Sequence, residues 1–114
     1  MKRKLALLIT FLCLSLANSF AQSEVEIKNI QKKLENADDS IKIHLCKELY
    51  TGYFYTNLDK ALEYAQKGYE LAVNKNLSAE IADFSYKIGS VYLLQSKYSS
   101  ALIYFLKTAK IAED

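Results

Sequence analysis

From residue 25 onward the apolar positions recur at helical spacing and almost never alternate. Val25, Ile27, Ile30 and Leu34 predict a leader helix, and the stretch "NADDS" at 36–40 supplies Asn, Asp and Ser as stop and cap. Ile41, Leu45, Leu49 and Tyr53 fall four apart and predict a second helix over about 41–54 with one apolar stripe. "TNLD" turns the chain with Asn57 as the cap, and a third helix follows over 58–74. "NKNLS" breaks it, a fourth helix covers about 78–95, "QSKYS" makes the next turn, and a fifth helix runs on from there. No stretch has the strict alternation of a strand, there is no proline, and the three glycines stand at 52, 68 and 89. The expected fold is all-α.

The pattern also repeats. Residues 99–112, "SSALIYFLKTAKIA", echo residues 59–72, "DKALEYAQKGYELA": Ala61 matches Ala101, Leu62 Leu102, Tyr64 Tyr104, Lys67 Lys107 and Ala72 Ala112, with Leu71 answered by Ile111. Helix pairs at a fixed period are the sequence mark of a solenoid, in which each unit buries its apolar face on its neighbour.

Residues 1–21 obey a different rule. Lys2, Arg3 and Lys4 precede the apolar run "LALLITFLCLSL" at 5–16, and "ANSFA" ends with Ser19 and Ala21 at the positions a signal peptidase reads. The expectation is an export signal cut between Ala21 and Gln22, which places the chain in the periplasm or outside the cell. A retained anchor is the competing reading, and against it the apolar core is shorter than the roughly 20 residues of a spanning helix. The expected division is a signal peptide over 1–21, a leader helix over 22–39, a degenerate helix pair over 40–76 and a second pair over 77–114.

Without the signal the charge balance changes sign. Taking Lys2, Arg3 and Lys4 from the 15 basic residues leaves twelve against 13 acidic ones. No basic cluster remains to neutralise phosphates, so nucleic acid is not an expected partner. Cys46 is the one cysteine beyond the signal and has no internal partner for a disulfide. It either packs as a small apolar residue or joins two chains.

Chemistry is not written into the sequence. His44 is the single histidine, and it stands two positions from Cys46, which on a helix points the two to different faces. There is no histidine cluster for a metal, no G-x-S-x-G, no Walker loop and no G-x-G-x-x-G. Carboxylates are spread along polar faces, where pairs such as Glu63 with Lys67 are solvated i to i+4 contacts. The chain is expected to be no enzyme and to carry neither cofactor nor metal.

The second unit, "ADFSYKIGSVYLLQSKYSSALIYFLKTAKIAED", resembles a tetratricopeptide repeat. The pair Ile88-Gly89, then Tyr92, Tyr98, Ala101 and Phe105, stand at the spacings of that family's L-G, Y, Y, A and F/Y positions. The consensus Trp is replaced by Ser85 and the consensus proline by Glu113. The resemblance implies helical hairpins stacked as a short right-handed solenoid. In it Gly89 admits the partner helix, Ala101 offers the matching small surface, and Tyr92, Tyr98 and Phe105 fill the space between. The first unit fits less closely, because at the offset that joins Ala61 to Ala101, Leu49 stands for Gly89 and Gly52 for Tyr92. Either its first helix is rotated or its register slips. A period of 40 against the usual ~34 resembles the extended repeats of bacterial sensor proteins. With the signal and leader, the chain resembles the extracytoplasmic starts of sensor histidine kinases and regulators that bear such repeats.

Family positions that line the concave groove fall on Asp83, Tyr86, Ser90, Leu93 and Leu94, and in the first unit on Ile43, Cys46, Tyr50, Tyr53 and Phe54. The Lys and Asn pattern that clamps a terminal carboxylate is missing, since Tyr86, Lys87 and Ser90 occupy those places. A hydrophobic or helical segment of a protein or peptide is the expected ligand. The two copies also differ on their outward faces: Glu63 and Gln66 in the first become Ile103 and Leu106 in the second. That face is expected to be covered, by further repeats or by a second molecule in a homo-oligomer; scattered surface apolars are the competing reading. The expected function is an exported scaffold for protein binding, placed at the sensory start of a signalling chain, with structural self-assembly as the alternative.

Overall fold

The structure, a computed structural model, describes residues 2–114, and these form five α-helices with no strand among them: α1 (Lys2–Asn36), α2 (Asp39–Tyr53), α3 (Leu58–Asn74), α4 (Ser78–Leu94) and α5 (Tyr98–Glu113). The chain is all-α. The expected signal and leader run together as α1, because no glycine or proline between residues 2 and 36 interrupts them. Met1 lies outside the described residues.

Local chemistry explains each break. Asp38 caps α2 by accepting the Ile41 N–H at 3.0 Å, and Asn57 caps α3 by accepting that of Lys60 at 3.1 Å. The turns before α4 and α5 are copies of one another. In each, three successive N–H groups bond back to the ending helix: Lys75 to Leu71, Asn76 to Val73 and Leu77 to Ala72, then Gln95 to Val91, Ser96 to Leu93 and Lys97 to Tyr92. Asn76 and Ser96 take the left-handed conformation at the same point, with φ of 54° and 61°.

Each helix packs on the next, and alternate helices meet through side chains. Gln31 of α1 donates to the hydroxyls of Tyr53 and Tyr64, both at 3.0 Å, and so joins α1 to α2 and α3. Tyr69 of α3 meets Tyr104 of α5 edge-on with 6.3 Å between ring centres, and Lys107 lies over both rings. The core is centred on Leu49, Cys46, Ala61, Ala65, Ala72, Phe84, Ile88 and Val91, all fully buried.

Three expectations change at this level. The four-residue stripe on α2 drifts, since four residues advance a helix by about 40° beyond a full turn. Ile41 is therefore 51% exposed, while Ile43, Cys46 and Tyr50, expected to line a groove, turn inward and are buried. The residue lying on Gly89 is Phe105, rather than Ala101, although Ala101 is also buried. Tyr98 is 65% exposed and fills no space between helices. Its counterpart in the first copy, Leu58, packs on the core beside Leu94 of α4, and among the described residues no helix takes that place beside Tyr98.

The irregular first pair has a simple account. Where the second pair has Gly89 with Phe105, the first has Leu49 with Ala65, and both of these are fully buried. Large and small have changed sides with the total volume roughly kept, an exchange of a kind that cores tolerate. Gly52, at the counterpart of Tyr92, receives Ile27 of α1, whose side chain would lie 3.3 Å from an added Cβ.

Candidate functional site

The seam between α2 and α4 carries a linked set of four charged side chains. Lys47 projects from α2 and pairs with Glu80 and, at 3.2 Å, with Asp83 of α4. Asp83 is also held by Lys87, one turn on, at 2.8 Å. Burial opposes the charged form of Asp83, but hydrogen bonds and attraction from Lys87 and Lys47 outweigh it and hold the carboxyl below its usual range. Burial likewise opposes the Lys47 charge, and Glu80 and Asp83 reverse the balance and raise its pKa. Two lysines and two carboxylates leave the seam neutral.

Beside this chain of charges the seam is aromatic. Tyr50 donates its hydroxyl to the Lys87 carbonyl at 3.3 Å, and the Lys87 ammonium sits 5.5 Å from the centre of its ring. Burial, then nearby Tyr86 and Asp83, push the Tyr50 phenol up to about 12, so it stays a donor. Tyr50 leads to Phe54, 5.4 Å away between centres, and Phe54 to Tyr55, which meets it edge-on at 5.0 Å. Phe54, Tyr55, Leu58 and Leu94, with Thr56 and Asn57, line a shallow open cavity where the seam ends. Tyr55 is almost wholly exposed.

The groove residues named by the sequence divide in the structure. Tyr50, Asp83 and Leu94 lie on the seam, Tyr50 as a buried wall and not as open surface. Tyr53 turns the other way, stacked on Tyr64 at 5.9 Å and bound by Gln31. Tyr86 points toward α5, its ring 5.9 Å from that of Phe105, and Ser90 donates back to the Tyr86 carbonyl at 2.8 Å. Leu93 stands exposed on the same helix. Of the expected packing set, Ile88, Gly89 and Ala101 are buried and Tyr92 and Phe105 half-buried.

Sequence reasoning missed Lys47 and Lys87 as site residues, although they are central to the seam. A signal for them exists, because the two lysines stand at the same spacing as Ala61 and Ala101, the period of the echo. The expected pair of Glu63 with Lys67 is replaced by Glu63 with Lys60 at 3.1 Å. His44 and Cys46 diverge: His44 is exposed and bridges Glu48 at 3.1 Å, while Cys46 is sealed in the core.

Away from the seam, Leu5, Leu8, Leu12 and their neighbours on α1 are exposed. By length and composition this helix can cross a membrane, and an N-terminal export signal fits it equally. Compared with known proteins, the chain matches no family model, no curated protein and no solved structure.

Proposed function

We propose that the chain is a non-catalytic, exported scaffold whose tetratricopeptide-like hairpins stack as a short right-handed solenoid and bind an apolar or helical segment of a protein or peptide. The observation that carries this reading is the seam. A neutral chain of ion pairs, Glu80–Lys47–Asp83–Lys87, links α2 to α4, and an aromatic and aliphatic mouth opens at its end. The solenoid reading is supported by the duplicated turns and by alternate helices meeting at matching places. The basic start, apolar run and small residues before Gln22 support export to the periplasm or the exterior, and a place at the sensory start of a signalling protein fits that location.

Apolar ligands suit such a mouth because Phe54, Tyr55 and Leu94 offer rigid apolar area, while the charges of the seam are already paired and need lose no further water. The test uses the exported protein and an immobilised set of amphipathic helical peptides, with scrambled and acidic peptides as controls. Retention of apolar helical peptides, lost in Leu94→Glu and in Tyr55→Ala while the melting temperature holds, is the expected result. Equal retention of every peptide class, or retention unchanged in both variants, would remove the seam from the binding account.

A further inference from the structure

The outward face of α5 has an internal comparison in α3. Leu58, Leu62, Glu63 and Gln66 are the first-copy counterparts of Tyr98, Leu102, Ile103 and Leu106. Leu58 and Leu62 are half-buried against the core, with α4 and α5 following them in the fold, whereas Glu63 and Gln66 remain in water. A further helix pair laid on α5 in the same manner would cover Tyr98 and Leu102 and leave the next two positions exposed. Those positions hold Ile103 and Leu106, now 55% and 59% exposed. Repetition of the existing contact gives them no cover, so their apolar character calls for a contact of another kind.

We infer that this face of α5 docks against α5 of a second copy of the chain, antiparallel, about a two-fold axis near the Leu102–Leu106 turn. At 100° per residue Leu102, Leu106 and Ile103 form one stripe about 100° wide, enough for a helix to lie along. In a two-fold contact each residue near the axis meets its own copy, so a charge there repels itself and a leucine does not. No charged residue occurs from Tyr98 through Leu106, and Lys107 is turned away, its ammonium 4.7 Å from the centre of the Tyr104 ring. The direction follows from Lys110, the first charged residue along the stripe. An antiparallel pair sets Lys110 against Ser99 of the second copy and keeps the two Lys110 side chains about 16 Å apart along the axis at 1.5 Å per residue. That exceeds a Debye length of ~8 Å at physiological salt. A parallel pair would place the two Lys110 side by side.

Outside residues 5–16, α4 also exposes Tyr86, Leu93 and Leu94, but the charged Asp83 and Lys87 stand on the same side of that helix. The exposed side of α1 beyond residue 22 carries Glu24, Lys28, Lys32 and Glu35. This inference does not rest on the peptide-binding role of the α2 and α4 seam, and the variants below leave that seam intact.

The experiment is sedimentation velocity on the full chain in a mild non-ionic detergent, which shields residues 5–16. The wild type is expected as a dimer. Ile103→Glu with Leu106→Gln, which restores the chemistry of Glu63 and Gln66, is expected to weaken association by about tenfold or more, with helical circular dichroism retained. Leu8→Gln with Leu12→Gln is expected to leave the dimer in place. A second measurement works on the wild-type face: with Cys13→Ser as background, Ser99→Cys combined with Lys110→Cys should form an interchain disulfide on oxidation, whereas Lys110→Cys alone should not. A wild type that stays monomeric at its highest soluble concentration would overturn the inference. So would a dimer indifferent to the 103/106 change, one lost in the 8/12 variant, or disulfide formation by Lys110→Cys alone.

Discussion

The ring of Phe105 rests on Gly89 so closely that a Cβ placed there would sit 2.7 Å from one ring carbon. Phe84 rests on Gly68 in the same way, one helix earlier and more tightly. The two pairs have the same spacing in sequence, both join consecutive helices, and both use the absence of a side chain to bring the helices together. The two aromatic rings differ in freedom: Phe84 is fully buried and Phe105 half-buried.

That difference predicts the order of two substitutions. Alanine in a helix interior is favoured over glycine by about 0.8–1 kcal/mol, while overpacking a core costs roughly 1–3 kcal/mol. At Gly68→Ala the fully buried Phe84 ring has little freedom to move, and net destabilisation of up to about 2 kcal/mol is expected from the difference of those terms. At Gly89→Ala the Phe105 ring can swing toward solvent, so the two terms nearly cancel. Urea unfolding of the two variants checks this. A Gly89→Ala variant less stable than Gly68→Ala would show that exposure does not govern the cost.

Cys46 sets an alkaline limit to stability. Burial raises its thiol from 9.0 to about 11 in the fold, with Lys67 and Lys42 drawing it slightly back. Only the charged thiolate is disfavoured by burial, so the folded chain holds this proton more tightly than the unfolded one. Stability from this group is therefore full below pH 9 and falls as pH rises from 9 toward 11. Cys46→Ala should flatten the fall in that window, measured by urea midpoints at several pH values. The same burial predicts that Cys46 reacts with a thiol reagent only after unfolding. An interchain disulfide through native Cys46, seen on a non-reducing gel, would contradict both statements.

Helix boundaries were legible in the sequence because they rest on near neighbours: Asp38 caps through the Ile41 N–H and Asn57 through that of Lys60, and Asn76 and Ser96 sit in turns closed by the helix just ended. Facing was less legible. The choice of Ile43 over Ile41 as the inward residue of α2 depends on where α1 and α3 lie, and a spacing of four hides the drift that separates them. The exchange of Leu49 and Ala65 for Gly89 and Phe105 required two helices to be read at once. Leu94, expected in a groove from the resemblance to tetratricopeptide repeats, lies where the seam ends, but the lysines of the seam were passed over, since charge alone does not say which lysine meets a carboxylate of another helix.

Ser85 is a place where the core gains nothing from its polar atom. It stands in the middle of α4, where the resemblance to tetratricopeptide repeats puts a tryptophan, and it is fully buried. Among the described residues its hydroxyl has no hydrogen-bond partner. A buried hydroxyl without a partner costs roughly 1–3 kcal/mol relative to one that is bonded, and serine is a weaker helix former than alanine by about a few tenths of a kcal/mol. Ser85→Ala removes both terms and changes the volume by little more than one oxygen. It should stabilise the chain by about 1 kcal/mol. Ser85→Leu tests the space rather than the polarity: the site is fully buried, so a large side chain overpacks it, and a loss of roughly 1–3 kcal/mol is expected. Thermal melting of the two variants gives opposite signs under this account. A destabilised Ser85→Ala would mean that the hydroxyl is bonded in solution, through a bound water or a shifted rotamer, and that the serine contributes to the core it stands in.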